Sequence, residues 1–202
     1  MSATAKLEII ILAAGSSSRL GQAKQLVRYN GESLLSRQCK IAKQLGNKVS
    51  CVLGYEAQTM IDEIADSSIK TVINHHWKNG LSSSIAKGIA AIDADTEAVM
   101  LVLVDQWQLT AELCQQLQLL WQDNRQKIIS AAQMIKGKEI TSPPIIFPAY
   151  CFPHLTTLHQ GFGAKAVIEK YAEQLLCLTM PEAFIDLDTP AQLQALKSYQ
   201  GK

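Results

Sequence analysis

Long apolar runs are missing from this 202-residue chain: the longest uninterrupted one, Ala98–Val104, falls far short of the roughly 20 residues that a membrane-spanning helix requires. No membrane partner is therefore expected. No secretory leader is expected either, because the first apolar run is short, carries Glu8 and passes straight into a loop. There is no excess charge of either sign. The formal net charge is +1, which gives no general attraction for nucleic acid or for an anionic surface, so any affinity for phosphate must be local. The five cysteines, Cys39, Cys51, Cys114, Cys151 and Cys177, are odd in number and none lie at metal-ligand spacing. Reduced thiols and a cytoplasmic location are the expectation. His75 and His76 likewise lack a Cys or His partner at zinc spacing. Repeats, low-complexity tracts and long linkers are absent, and the length suits one domain over residues 1–202.

What is present is an alternation of strand-like and helix-like segments. Leu7–Leu12, Val49–Leu53, Thr71–Ile73, Ala98–Val104 and Ile128–Met134 read as strands, with weaker candidates at Ile145–Phe147, Leu175–Leu178 and Phe184–Leu187. Helical patterns lie between them: one capped by Ser33 and closed by Gly46, then Ala57–Ala65, Ser82–Ala91, Thr110–Asp123, Ala164–Gln174 and Ala191–Ser198. The alternation predicts an α/β fold, three layers deep and Rossmann-like, with a mostly parallel central sheet. Near-continuous apolar strands such as Met100–Val104 fit a sheet covered on both faces.

The most informative stretch is Leu7–Tyr29, LEIIILAAGSSSRLGQAKQLVRY. A buried strand opens abruptly into small and hydroxyl residues, followed by a lone Arg19 and a lone Lys24. Small residues let backbone N–H groups turn toward an anion, and the two cations would add charge-assisted bonds to phosphate oxygens. Five residues separate Gly15 from Gly21 and Gln25 follows Lys24, so the loop is not a Walker A loop. Gly15-Ser16-Ser17 does not supply the dinucleotide-binding glycines. On spacing alone an ordinary strand-to-loop turn with solvated cations accounts for it equally well.

In such sheets ligands sit beyond the carboxyl ends of the strands. That rule selects Gly15–Lys24, then Asn74, Asp105 at the end of Ala98–Val104, and Asp186 and Asp188 near the C-terminus. A carboxylate at a buried strand end is costly unless paired or metal-bound. Thr110 is a better cap for the helix that follows, which leaves Asp105 for a metal. Were Phe184–Leu187 a strand, its period of two would place Asp186 and Asp188 on one face, with Asp188 nearer the ligand edge. One of the two could instead cap the helix opening at Pro190. Carboxylates beside phosphates point to magnesium. Asn79-Gly80-Leu81-Ser82-Ser83-Ser84 opens a helix whose N–H groups and hydroxyls could cap it or meet a base or ribose. Gly161-Phe162-Gly163-Ala164-Lys165 could bring Lys165 to an anionic substrate, or be a simple turn.

Together these segments resemble the MobA-like nucleotidyltransferases that attach a nucleotide to the molybdenum cofactor, and within them the cytidylyltransferase branch. The signature Leu-Ala-Ala-Gly-x-Ser-x-Arg-Met-Gly-x-x-Lys stands here as Leu12-Ala13-Ala14-Gly15-Ser16-Ser17-Ser18-Arg19-Leu20-Gly21-Gln22-Ala23-Lys24, with Leu for Met. Asn74, Trp77 and Gly80-Leu81-Ser82-Ser83-Ser84 match a second element, and Asp186-Leu187-Asp188-Thr189-Pro190 matches the Asp-x-Asp-Thr-Pro ending.

The resemblance implies attack by a terminal phosphate of a molybdopterin-type substrate on the α-phosphate of a nucleoside triphosphate, with release of pyrophosphate. It implies catalytic roles for Arg19, Lys24 and Asp105, magnesium on Asp105 and Asp188, and nucleotide contacts from Leu12, Ala13, Ala14, Gly15, Ser16, Lys24, Asn74, Gly80, Ser82, Ser83 and Ser84. Ala14 stands where guanylyl-transferring relatives carry Gly, which favours CTP. A molybdenum hydroxylase or its chaperone would be the recipient. Two departures fall on the acceptor side: Trp107 replaces the family's Pro after Asp-Gln, and Phe162 and Lys165 replace Asp and Arg. A sugar or polyol phosphate acceptor, or a non-catalytic role in escorting the cofactor, remain the other readings.

Overall fold

The computed structural model describes residues 6–46, 48–161 and 163–199. In chain order its elements are β1 (Leu7–Leu12), β2 (Arg28–Tyr29), β3 (Glu32–Ser33), α1 (Leu34–Gln44), β4 (Lys48–Leu53), α2 (Ala57–Glu63), β5 (Lys70–Ile73), α3 (Leu81–Ile89), β6 (Ala98–Leu103), α4 (Ala111–Asp123), β7 (Ile128–Ile135), β8 (Lys138–Pro148), α5 (Phe152–Thr156), α6 (Lys165–Lys170), β9 (Leu175–Thr179) and α7 (Pro190–Tyr199). Seven strands form one sheet in the order β5-β4-β1-β6-β8-β7-β9, and β2 and β3 make a small separate ribbon.

The sheet is mostly parallel, as the alternation predicts, and β8 alone reverses direction. It pairs antiparallel with both β6 and β7, while the pairs β1–β4, β1–β6, β4–β5 and β7–β9 are parallel. The reversal is local in origin. Lys136 and Gly137 both have positive φ, 50° and 75°, the dihedral pair of a tight hairpin turn that a βαβ crossover does not need.

Burial on both faces explains the unbroken apolar strands. Along β1 the side chains alternate between two cores: Ile9 and Ile11 pack with Leu35 and Cys39 of α1 and Leu117 and Trp121 of α4. Ile10 and Leu12 pack with Ile85 and Ile89 of α3 and Leu155 of α5. These are the three layers expected. Fully burying one such aliphatic side chain contributes about 1.5–3 kcal/mol, so β1 is anchored firmly where its loop departs.

Helix ends follow their capping residues. Ser33 Oγ accepts from Ser36 N at 3.1 Å, and α1 closes into Gly46 at φ 72°. Thr110 Oγ1 accepts from Leu113 N at 3.3 Å and caps α4, so Asp105 is free of that duty.

Three local expectations are corrected. Phe184–Leu187 is not a strand: Pro181–Phe184 winds into a 3-10 turn, because Pro181 cannot donate to a ladder. The predicted strand Ile145–Phe147 is the end of the much longer β8. The helix expected over 164–174 is α6 followed by a separate 3-10 turn at Ala172–Gln174. Helix α5 was not anticipated. At five residues it is too short to show a helical period.

A third apolar cluster forms at the carboxyl edge of the sheet. It joins Leu20 of the first loop, Val27, Leu34, Trp107, Leu187 and Leu196. It therefore ties an early loop, the segment after β6 and the C-terminal helix together where ligands are expected.

Candidate active site

The loop leaving β1 lies at the centre of the sheet's carboxyl edge. Ser17 at φ 55° and Gly21 at φ 77° reverse it, with Leu20 N and Gly21 N both donating to Ser17 O. Leu20 plugs into the third cluster. The loop then returns to Lys24, whose backbone N donates to Ser17 Oγ at 3.1 Å.

Lys24 reaches inward between two carboxylates. Its Nζ pairs with Asp105 Oδ2 and lies 3.1 Å from Asp188 Oδ1. Arg19 meets the other oxygen of Asp188 at 2.7 Å. Four residues chosen from the sequence thus converge, although 169 positions separate Arg19 from Asp188. Burial alone would lower the Lys24 pKa, but Asp105 and then Asp188 outweigh it and hold the ammonium above its ordinary value.

Asp186 completes the group. Burial, then the charges of Asp105 and Asp188, push its carboxyl up to about 6, against a smaller opposing pull from Lys24. Its Oδ1 is buried without a hydrogen-bond partner. Although no strand forms, the alternation survives: Leu187 is buried in the third cluster while Asp186 and Asp188 flank it.

The raised pKa has a stability consequence. In the folded state Asp186 retains its proton above the pH at which the unfolded chain loses it, so folding takes up a proton between the ordinary aspartate value of 3.8 and about 6. Stability from this group is full below the lower value and is lost as pH rises through the upper one. We expect Asp186→Asn to raise the urea midpoint at pH 7.5 in metal-free buffer and to leave it nearly unchanged at pH 4. An equal gain at both pH values would refute the assignment.

The donor set can be tested against the expected magnesium. Asp105, Asp186 and Asp188 offer hard oxygen atoms, and one buried oxygen has no protein partner. Among the described residues no group of three His, Cys, Asp or Glu closes into a protein-only metal cage. Magnesium does not need one: it is commonly held by one or two carboxylates, with phosphates and waters filling the rest. The residues fit that mode.

The second element lies across Gly54 from the loop. A Cβ on Gly54 would come within 2.6 Å of Trp77 Cβ and 2.8 Å of Ala14 O, and Tyr55 N donates to Ala14 O at 3.0 Å. Only glycine permits so close an approach. Ala14 itself is buried in the α3-side core. Asn74 is buried, and its Nδ2 donates to Ser83 Oγ at 2.9 Å and Ser84 Oγ at 3.1 Å. Ser82 Oγ donates to His159 O and accepts from Gly163 N. The serines are thus differentiated: Ser82 and Ser84 are buried, and Ser83 is half-exposed, its Oγ placed to donate to His76 O or Gly80 O. Gly80, at φ 87°, turns the chain into α3.

Beyond Leu12 a pocket of about 370 Å³ opens between α3, β8 and α6. Its walls are largely aliphatic, with Leu81, Leu103 and Ile140 among them, while Glu139, Ser142 and Lys165 supply polar groups. Leu81 and Ile140 are exposed apolar side chains. Lys165 also lies 3.6 Å from Glu169. Phe162 falls outside the described residues.

Trp107 does not crowd this pocket. It is buried in the third cluster, with Tyr29 and Tyr199 rings at 5.1 and 5.3 Å. Its side chain packs in one cluster with Leu187, the residue between Asp186 and Asp188.

Two glutamines escaped the sequence reading. Gln106 is fully buried. Its Nε2 donates to Ala183 O, Pro143 O and Ser142 Oγ, and Gln38 Nε2 donates to its carbonyl. Gln25, also fully buried, donates from Nε2 to Ala13 O and Gly15 O, both at 2.8 Å. Polar side chains inside a core follow no hydrophobic period, so the only signal was their adjacency to Asp105 and Lys24.

The family described as MobA-like NTP transferase domain matches residues 9–175. The molybdenum cofactor cytidylyltransferase of Escherichia coli K12 is 28% identical over 186 residues, covering 91% of this chain and 92% of that protein. Among solved structures, Rv0371c from Mycobacterium tuberculosis superposes with a TM-score of 0.80 at 21% identity, covering 96% of this chain and 98% of that one. The 4-diphosphocytidyl-2C-methyl-D-erythritol synthase of Anaerococcus prevotii also reaches 0.80, at 15% identity and coverage of 98% and 97%. These two likenesses concern the fold.

Proposed function

The chain belongs to the MobA-like NTP transferase family, and from that premise we propose that it transfers CMP from CTP to a molybdopterin-type acceptor and releases pyrophosphate. The observation that carries this reading is Lys24, held between Asp105 and Asp188 at the mouth of the β1 loop. A nucleotidyl transfer needs cations aimed at phosphate and carboxylates that can hold a metal beside it, and this arrangement supplies both in one place.

On this reading the loop Ala13–Ser16 receives the phosphates, with Leu12 beneath it. Arg19 and Lys24 neutralise charge that grows on the departing pyrophosphate, a differential electrostatic effect rather than covalent chemistry. Lys24 is a dedicated cation, since its raised pKa keeps the ammonium protonated throughout the neutral range. Asp105 and Asp188, with Asp186 beside them, would hold magnesium, which when bound supplies Lewis-acid polarisation of phosphate oxygens. Asn74, Gly80 and the serines Ser82, Ser83 and Ser84 form the nucleoside side, with Ser83 the half-exposed hydroxyl. The E. coli cytidylyltransferase matches along nine-tenths of both chains, which supports CTP as donor, and Ala14 in place of Gly is consistent with the smaller base.

The aliphatic pocket beyond Leu12 supports an acceptor with a ring system. A polyol buried against Leu81, Leu103 and Ile140 would leave hydroxyls unpaired, at about 1–3 kcal/mol each. Trp107 does not line that pocket, which supports an acceptor space that this departure leaves open.

The test is pyrophosphate release with magnesium, CTP or GTP, and either molybdopterin or a polyol phosphate. We expect release with CTP and molybdopterin, at a kcat/KM above that with GTP. Release only with the polyol phosphate would overturn the acceptor. No release with any pair, combined with tight cofactor binding, would favour the escort.

A further inference from the structure

The first loop poses a physical question that Arg19 and Lys24 do not answer: what turns its backbone toward an anion. Glycine permits such a turn but does not enforce it. Gln25 is fully buried and lies directly beneath the loop. Its Nε2 donates to Ala13 O and Gly15 O at 2.8 Å each. Its Oε1 accepts from Ser17 Oγ at 3.5 Å, and that same Ser17 oxygen accepts from Lys24 N at 3.1 Å. The amide orientation is dictated by its surroundings, because two carbonyls require a donor and a hydroxyl can donate to the remaining oxygen.

A trans peptide points its C=O and N–H in opposite directions. With the carbonyls of Ala13 and Gly15 held inward by Gln25, the N–H groups of Ala14 and Ser16 face away from it. Among the described residues neither N–H has a protein acceptor. Between them Gly15 faces open space, with no heavy atom within 4 Å of where a Cβ would stand. Two N–H donors held on one side of a loop without a protein acceptor are free to bond an anion's oxygens.

We propose that Gln25 is a positioning residue that shapes this loop for phosphate: it fixes two carbonyls inward, presents the Ala14 and Ser16 N–H groups outward, and through Ser17 sets the backbone from which Lys24 projects. The inference rests on the phosphate-binding reading of the loop and goes beyond it by assigning the loop's shape to one neutral side chain.

Gln25→Met keeps length and volume and removes the donor. Inorganic tripolyphosphate with magnesium is the probe, followed by calorimetry, and cytidine followed by NMR titration is the phosphate-free control. For Gln25→Met we expect tripolyphosphate affinity to fall by about tenfold or more, as for a lost pair of hydrogen bonds, with cytidine affinity unchanged. Equal tripolyphosphate affinity in wild type and variant would overturn the role of Gln25. So would an equal loss for cytidine, which marks general damage. If wild type itself ignores tripolyphosphate, the phosphate-loop reading fails and this inference fails with it. Should Gln25→Met not fold, Ser17→Gly decides. It suits the positive φ at residue 17 and removes the hydroxymethyl group that carries the linking hydroxyl, so weaker tripolyphosphate binding supports the network and unchanged binding refutes it.

Discussion

Asp105→Asn lowers the rate of pyrophosphate release by roughly a hundred- to a thousandfold, the range seen when one preorganised electrostatic group is lost from a reacting centre, while circular dichroism stays that of the wild type. The substitution keeps shape and removes charge. Asp105 is 5% exposed and its partner Lys24 is partly buried, so the pair is largely but not wholly removed from water. Removing one member of a buried pair costs about 3–5 kcal/mol when no other charge compensates. Here Asp188 also bonds Lys24, so the loss of stability should fall below that range. The kinetic effect should also depend on metal: extra magnesium should recover part of the activity if Asn weakens binding of the ion. Wild-type turnover in the variant would refute the role of Asp105.

Lys24→Met has the second largest expected effect, again roughly a hundred- to a thousandfold in kcat/KM, and its signature differs. The variant removes the one cation that separates Asp105 from Asp188, leaving carboxylates facing each other with Asp186 nearby. Like charges placed together raise one another's pKa, so the activity that remains should have an acid limb shifted to higher pH. Lys24→Arg should not restore the wild-type rate, because a planar fork cannot occupy the space of a point charge between two carboxylates. Full activity in Lys24→Met, or an unshifted pH profile, would sink this account.

The sheet and its layers were legible in the sequence because burial on both faces forces unbroken apolar strands, and Met100–Val104 shows this directly. The convergence of Arg19, Lys24 and Asp105 was legible for a related reason, since the loop after β1 and the end of β6 share the sheet's carboxyl edge, whereas Asp188 reaches that edge through an irregular segment rather than from the strand expected. Features that depend on single side chains far apart in sequence were hidden. The packing of Trp107 was hidden because its neighbours Leu20, Leu187 and Leu196 are adjacent only after folding. The burial of Gln25 and Gln106 was hidden, since nothing local shows that their amides would find carbonyls inside the core. The serine triplet read as one unit, and only its packing separates the half-exposed Ser83 from Ser82 and Ser84. The direction of β8 turned on the dihedrals of Lys136 and Gly137 rather than on any apolar pattern.

The placement of Asp188 carries a thermodynamic consequence. Helix α7 buries only Leu196, and the segment before it is irregular, so this end of the molecule rests on the third cluster rather than on the sheet. Such a region opens at a fraction of the global unfolding free energy. Each opening would withdraw the carboxylates of Asp186 and Asp188 and leave Lys24 paired with Asp105 alone, with the sheet intact behind them. Heat should therefore silence activity before it unfolds the chain, and the inactivation temperature would measure the hold of Leu187 and Leu196 on the third cluster rather than the stability of the fold.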